Sequence, residues 1–137
     1  MGSGEEVTTV KTSDLQLDQL SGVELMVAGS PTRGFRPSDG MMNFLNKLAI
    51  NRIPGVKVVA FDTRLALSDI ESGVLRLFVR VGGYAAPKIA GRLKKCGGEL
   101  ILPPEGFLVK ASEGPLKDGE IERAKSWATS LRSLFDK

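Results

Sequence analysis

Short apolar segments alternate along this chain with segments whose apolar residues recur at helical spacing. Leu25–Gly29 (LMVAG) and Val56–Phe61 (VKVVAF) are apolar on both faces, as expected for parallel strands covered on two sides. Glu99–Leu102 and Phe107–Val109 predict an interrupted fourth strand, and the more polar Val7–Lys11 suits an edge strand. The alternation predicts an α/β fold built on an open parallel sheet.

Three helices are predicted between and after these strands. Ser38 caps the first, Pro87 begins the second and Asp118 caps the third. Pro54–Gly55 ends the first helix and Gly97 ends the second. The predicted apolar stripes are Met41, Phe44, Leu45, Leu48 and Ala49 in the first helix, Ile89, Ala90 and Leu93 in the second, and Ile121, Ala124, Ala128, Leu131 and Phe135 in the third.

Three remaining segments are less regular. Asp14–Leu20 predicts a short helix or a turn. Val74–Val81 alternates like a strand, but it lies where a crossover helix is needed, and we predict a helix there. Residues 1–6 have the character of a flexible or cloning-derived tail, which leaves one domain over residues 7–137.

The composition removes several classes of chemistry. With no histidine and with Cys96 as the single cysteine, the chain has no histidine-based catalysis, disulfide or Cys/His metal site. No apolar run reaches the roughly 18 residues of a membrane span, and the lone cysteine agrees with a cytoplasmic location. The net charge of +3 arises from 19 basic residues interleaved with 16 acidic ones. We therefore expect no metal, no membrane and no nucleic-acid partner.

Two polar segments follow consecutive strands, at the edge where open α/β sheets bind ligands. The first contains Ser30, Pro31, Thr32, Arg33, Gly34 and Phe35, and the second contains Asp62, Thr63 and Arg64. Gly34 allows close approach of the main chain to a ligand, and Phe35 can stack on a ring. The alternative is an ordinary strand-to-helix turn, in which Asp62 bonds local backbone.

Together, VAGSPTRGFRP (27–37), VVAFDTR (58–64) and GGELILPPEGFLVKASEGPLKDGE (97–120) resemble the flavodoxin family, in order over about residues 7–135. The resemblance implies a flavodoxin-like three-layer sandwich. It also implies that the two polar segments wrap the isoalloxazine ring of FMN, largely with backbone groups. The expected function is FMN-linked electron transfer with a redox partner protein.

The chain departs from the family at its amino end, where the first β-loop-α unit has no counterpart. In flavodoxins that loop holds the FMN phosphate at a helix N-terminus, so we expect FMN binding by this chain to be weak or absent. The corresponding strand is central in the family's sheet. Without it, either the edge strand moves inward or a second chain fills the gap, because unpaired strand edges favour association. We expect a homo-oligomer.

The charge and the second polar segment also differ from electron-transfer flavodoxins. The isoelectric point is near 9.2, and Asp62–Gly73 contains no aromatic residue to cover a ring face. In a flavin-bound form, Arg33 and Arg64 are expected to raise the ring's midpoint potential, unless they pair with carboxylates such as Asp39 or Asp69.

Three functions therefore stay open. They are an FMN-linked electron carrier, a flavodoxin-like scaffold without flavin that acts through self-association, and a flavin-dependent reductase with one open ring face. The chain contains no GxGxxG motif that would support a nicotinamide site. The sequence favours an electron carrier or binding domain over a catalyst.

Overall fold

Strands and helices alternate along the chain as the hydrophobic pattern predicts. The computed structural model describes residues 7–32, 37–65, 84–110 and 115–135. In these ranges the strands are β1 (Leu25–Pro31), β2 (Lys57–Arg64), β3 (Glu99–Leu100) and β4 (Glu105–Leu108). The helices are α1 (Asp39–Asn51), α2 (Ala85–Lys95) and α3 (Glu120–Phe135), and a 3-10 turn covers Leu17–Leu20.

The sheet is open, and every strand pair in the described ranges is parallel. β1 pairs with β2 along its whole length. β3 and β4 both pair with the other edge of β2, so they are two pieces of one interrupted strand. Pro103 and Pro104 lie in the break, where proline, having no N–H, cannot continue the ladder. The predicted interruption is confirmed, although the second piece begins at Glu105.

The predicted edge strand at Val7–Lys11 is wrong. These residues are exposed and have no regular structure. A sequence such as VTTVK favours extended backbone, but a strand needs a neighbouring edge and a face to cover. The turn or short helix predicted at Asp14–Leu20 is confirmed by the 3-10 turn. The segments Val74–Val81 and 1–6 lie outside the described residues.

Helices α1 and α2 cover one face of the sheet, which we call face A. The strands follow one another in chain order, and right-handed crossovers then place both helices on the same side. Alternate residues of β1 and β2 point into this layer because side chains alternate along a strand. The core on face A contains Met26, Ala28, Val58 and Ala60 from the strands, with Met41, Phe44, Leu45, Leu48, Ile89, Ala90 and Leu93 from the helices.

Most of the predicted boundaries of α1 and α2 agree with the structure. Ser38 caps α1, as predicted, by accepting a hydrogen bond from the Met41 N–H at 3.3 Å. Ala49 is exposed and does not belong to the buried stripe. α2 begins at Ala85, so Pro87 is its third residue and not its first. Gly97, with φ of 103°, ends α2 as predicted.

Helix α3 lies on the opposite face, face B, and packs there through an aromatic cluster. Phe61 of β2, Phe107 of β4 and Trp127 of α3 meet edge to face, with ring centroids 5.7–6.0 Å apart. The Phe61 ring lies over Gly29, where a Cβ would overlap it. Aromatic pairs of this geometry add to the stabilisation from burial.

The predicted cap and stripe of α3 need correction. The helix begins at Glu120, and the Asp118 side chain is fully exposed, 3.5 Å from Lys110 Nζ. Ile121 is 57% exposed, whereas Leu131 is buried. The inward face is therefore rotated toward Trp127, because that ring fills the space above β2 and β4. The Phe135 side chain lies outside the described residues.

The two long strands differ in how they are covered. β2 is buried on both faces, as predicted. β1 is buried on face A only, since Val27 on face B is 42% exposed. The prediction of two-sided burial is therefore wrong for β1 in the part of the chain that the structure describes.

Leu48 tests the core on face A. Its side chain is fully buried, so Leu48→Ala should lower the free energy of unfolding by about 2–5 kcal/mol. Ile50→Ala is the matched control on the same helix, because Ile50 is 84% exposed and its loss should have little effect. Chemical denaturation measures both variants. Equal destabilisation would contradict this placement of α1.

Candidate functional site

The structure brings the two predicted polar segments together at the carboxyl edge of the sheet. Ser30 lies opposite Asp62 and Pro31 opposite Thr63. The Thr32 N–H donates to the Thr63 carbonyl at 3.0 Å. Arg64 ends β2 beside them, whereas Arg33, Gly34 and Phe35 lie outside the described residues. Except for Thr32, the described members are strand residues and not loop residues.

Ser30 connects the end of β1 to the start of α1. Its side chain is buried, and its Oγ accepts a hydrogen bond from the Ser38 N–H at 2.9 Å. The Ser30 and Ser38 hydroxyls are also 3.2 Å apart, within hydrogen-bonding distance. These bonds satisfy groups that a helix N-terminus leaves unpaired. The Ser30 hydroxyl therefore orients α1 and faces into the protein.

Asp62 connects β2 to the start of α2. Its side chain is fully buried, and Oδ2 accepts a hydrogen bond from the Ala86 N–H at 2.8 Å. The Ala85 N–H donates to Thr32 Oγ1 at 3.0 Å. Two strand ends thus cap α2, whose own N-cap residue, Tyr84, makes no side-chain cap bond. The helix dipole favours a carboxylate at this position.

Arg64 completes the environment of the Asp62 carboxylate. Its Nε and Nη2 donate to Oδ1 and Oδ2 at 2.6 and 2.7 Å, the two-bond geometry that arginine forms with carboxylates. The guanidinium carbon lies 3.8 Å from the centre of the Tyr84 ring. A Cβ at Gly106 would overlap the same guanidinium. Arg64 therefore packs closely against both Tyr84 and Gly106.

Tyr84 and Gly106 were missed by the sequence analysis. The Tyr84 hydroxyl donates to the Leu65 carbonyl at 3.3 Å. Burial raises the pKa of this hydroxyl, and the nearby Arg64 guanidinium opposes the shift. Tyr84 stands immediately before the observed start of α2 at Ala85, and the prediction that the helix begins at Pro87 placed it two residues outside the cap. No local pattern connects it, or Gly106, with Arg64.

A second polar cluster lies beside Gly106 and attaches α3 to β4. Arg123 contacts Glu105 at 2.9 Å and Glu120 at 2.7 Å, and it donates to the Gly106 carbonyl. Glu120 Oε2 accepts the Leu108 N–H at 2.7 Å. The hydrogen bond from Arg123 holds the pKa of Glu120 below its usual range, and the bond to Glu120 raises the pKa of Arg123.

The side chains of Ser30, Asp62 and Arg64 form hydrogen bonds within the protein. The Asp62 carboxylate is committed to Arg64 and Ala86, so it is not placed to act as a general base. The alternative in which Arg64 pairs with a carboxylate is the one observed, with Asp62 as the partner. Pro31, Thr32 and Thr63 are half-buried at the surface.

A separate surface depression of about 510 Å³ lies at the other end of the strands, where β1 and β2 begin. It is lined by Val23, Glu24, Pro54, Gly55, Val56 and Lys57. Ligands of open α/β sheets bind at the carboxyl ends of the strands, whereas this depression lies at the amino ends. We assign it no ligand.

Searches for a metal site, a membrane-spanning helix and similar proteins identify no further feature of the described residues. The described residues contain no cluster of three acidic or cysteine side chains that could hold a metal ion. None of the described helices combines the length and apolar character needed to cross a membrane. No protein-family model matches the chain, and no curated protein is significantly similar to it.

Replacing Asp62 tests its structural role. Asp62→Asn should lower the free energy of unfolding by about 3 kcal/mol, because the Arg64 guanidinium loses its ionic partner and an amide N–H₂ faces other donors. Asp118→Asn removes a fully exposed carboxylate and should leave stability nearly unchanged. Thermal and chemical denaturation compare the two. A stable Asp62→Asn variant would show that α2 does not depend on this carboxylate.

Glu120 predicts a pH dependence of stability. Since folding lowers its pKa, the carboxylate stabilises the native state above its unfolded pKa of about 4.3. That stabilisation is lost as pH falls through the lower, native pKa. The stability difference between wild type and Glu120→Gln should therefore be constant near pH 7 and shrink below about pH 4. Exposed Glu122→Gln is the control, and a difference independent of pH would contradict the assignment.

Proposed function

We propose that the chain is a flavodoxin-like, FMN-linked electron-transfer protein with an incomplete FMN site. The observation that carries this proposal is the hydrogen-bonded pairing of the β1 and β2 ends at one edge of a parallel sheet. Residues Ser30–Thr32 and Asp62–Arg64 form the described part of the ring-binding surface. Arg33, Gly34 and Phe35 continue the first segment in the sequence.

The rigidity of this edge supports ring binding. Ser30 is fixed by α1 and Asp62 by α2, so the adjoining backbone is already ordered before a ligand arrives. Preordered groups reduce the conformational cost of binding. A flavin carries out the electron transfer itself, and the protein needs only to orient it and adjust its electronics. The hydrogen bonds that Asp62 makes to Arg64 and Ala86 are therefore compatible with this function.

The described helix N-termini give little support for a phosphate site. At α2, the Asp62 carboxylate accepts the Ala86 N–H, and Thr32 Oγ1 accepts the Ala85 N–H. At α1, Ser30 and Ser38 accept the corresponding hydrogen bonds. A phosphate would have to displace these side chains to bind there. We therefore propose that the ring and not the phosphate provides most of the affinity for flavin.

The arginines have unequal roles in this proposal. The Arg64 charge is compensated by Asp62 at 2.6 Å, which reduces its effect on the potential of a nearby ring. Arg33 remains the candidate cation for stabilising a reduced flavin. Tyr84, which stacks on Arg64, supplies an aromatic side chain at an edge where Asp62–Gly73 has none.

A second candidate function is a scaffold without flavin that acts through self-association. The observation that favours it is the exposure of Val27 on face B of β1. β1 also carries no charged residue, and no described strand pairs with its other edge, whereas natural sheets usually protect such an edge against pairing with another chain. Flavin binding distinguishes the two functions, because only the redox function requires it.

Flavin titration tests the proposed function. Quenching of flavin fluorescence should show weak binding of both FMN and riboflavin, with affinities within about threefold of each other, because a phosphate grip contributes little. Thr63→Glu should abolish binding of both ligands. Thr129→Glu adds the same charge on an exposed part of α3 and should have no effect. Tight binding with a strong preference for FMN would contradict the incomplete site, and no binding of either flavin would overturn the redox function.

A further inference from the structure

The outer edge of β1 has a defined set of outward-facing backbone groups. Glu24 accepts from the Lys57 N–H at 3.1 Å, and Thr32 donates to the Thr63 carbonyl at 3.0 Å. In a parallel ladder alternate residues bond to a given neighbour, so the even-numbered residues of β1 face β2. The N–H and C=O groups of Leu25, Val27 and Gly29 therefore point away from the sheet. Within the described ranges, no strand pairs with this edge.

The sequence of β1 has little to prevent pairing at this edge. LMVAGSP contains no charged residue, and its only proline, Pro31, is at the very end. Natural edge strands are commonly protected by lysine, internal proline, a bulge or a covering segment. Val27 adds a half-exposed β-branched side chain in the middle of the strand. The edge is thus suited to accept another uncharged strand.

We propose that a second copy of this chain pairs with β1 in antiparallel orientation, centred on Val27, so that the two sheets become continuous. Val27 then lies opposite Val27 of the second copy, and Leu25 lies opposite Gly29. These three hydrogen-bonded pairs exchange about six N–H···O bonds, two for each pair. The two-fold axis passes through the Val27 pair and closes the assembly at a dimer. This inference is independent of flavin binding.

Both the backbone and the side chains favour this arrangement for two identical strands. In a parallel ladder, a residue whose N–H and C=O face the neighbouring strand lies opposite a residue whose groups point away. A two-fold axis between parallel copies would place each residue opposite itself, so this pattern cannot form. The antiparallel register places outward groups opposite outward groups. It also brings the two Val27 side chains together on face B, where a β-branched cross-strand pair is favourable. No charged residue lies opposite a like charge within β1.

The dimer is tested with the full chain by sedimentation velocity over a concentration series. Wild type should change from monomer to dimer as concentration rises. Val27→Lys places two ammonium groups directly opposite each other and should shift the dissociation constant at least tenfold toward monomer. Ile50→Lys is the matched control, because it introduces the same charge at a more exposed apolar residue on α1. Val27→Thr keeps a β-branched, uncharged side chain and should still dimerise.

Amide hydrogen exchange identifies the surface directly. The amides of Leu25, Val27 and Gly29 should become protected as the protein concentration rises, and Val27→Lys should expose them while its circular dichroism stays that of a folded protein. If Val27→Lys does not fold, the concentration dependence of amide protection in the wild-type protein tests the proposal by itself. A monomer at all concentrations, a dimer that persists in folded Val27→Lys, or protection of these amides independent of concentration would overturn the proposal.

Discussion

The buried carboxylate of Asp62 is the contact on which the arrangement of the carboxyl edge depends. It lies at the end of β2, accepts the Ala86 N–H at the start of α2 and binds Arg64 through two hydrogen bonds. A carboxylate without exposure to water is costly unless its oxygens are paired. Because every one of these partners must be in place, Asp62 fixes the position of α2 relative to β2. It also orders the backbone of the candidate site.

The Asp62–Arg64 pair also contacts β4, the strand on the other side of β2. The Arg64 guanidinium that binds Asp62 lies over Gly106, where a side chain would overlap it. The Gly106 carbonyl accepts a hydrogen bond from Arg123, which also binds Glu105 and Glu120. Two polar clusters thus meet at a single residue of β4. One cluster meets Gly106 by packing and the other by a hydrogen bond, and the hydrogen bonds within each cluster restrain the backbone at this end of the sheet.

The coverage of the sheet is uneven, and this shapes both proposals for the molecule. β2 has neighbours on both edges and burial on both faces, so it forms the centre of the described sheet. β1 has one described neighbour and an exposed valine on face B. The carboxyl end of the sheet is therefore held by hydrogen bonds to α1 and α2, while β1 is uncharged and has no described strand on its other edge. The two features occupy different parts of β1.

By itself the sequence determined the α/β alternation, the interrupted last strand, the Ser38 cap and the apolar face of α1. These follow from local chemistry: apolar periodicity, the missing N–H of proline and the reach of a serine hydroxyl to a nearby N–H. Tertiary structure alone decided that Val7–Lys11 is not a strand, that α3 turns Trp127 inward, and that Asp62 caps α2. The α2 cap and the packing of Trp127 each depend on a partner distant in the chain, Ala86 and Phe107 respectively. A single sequence does not encode such pairings in any local spacing, because they arise only when the sheet brings the strand ends together.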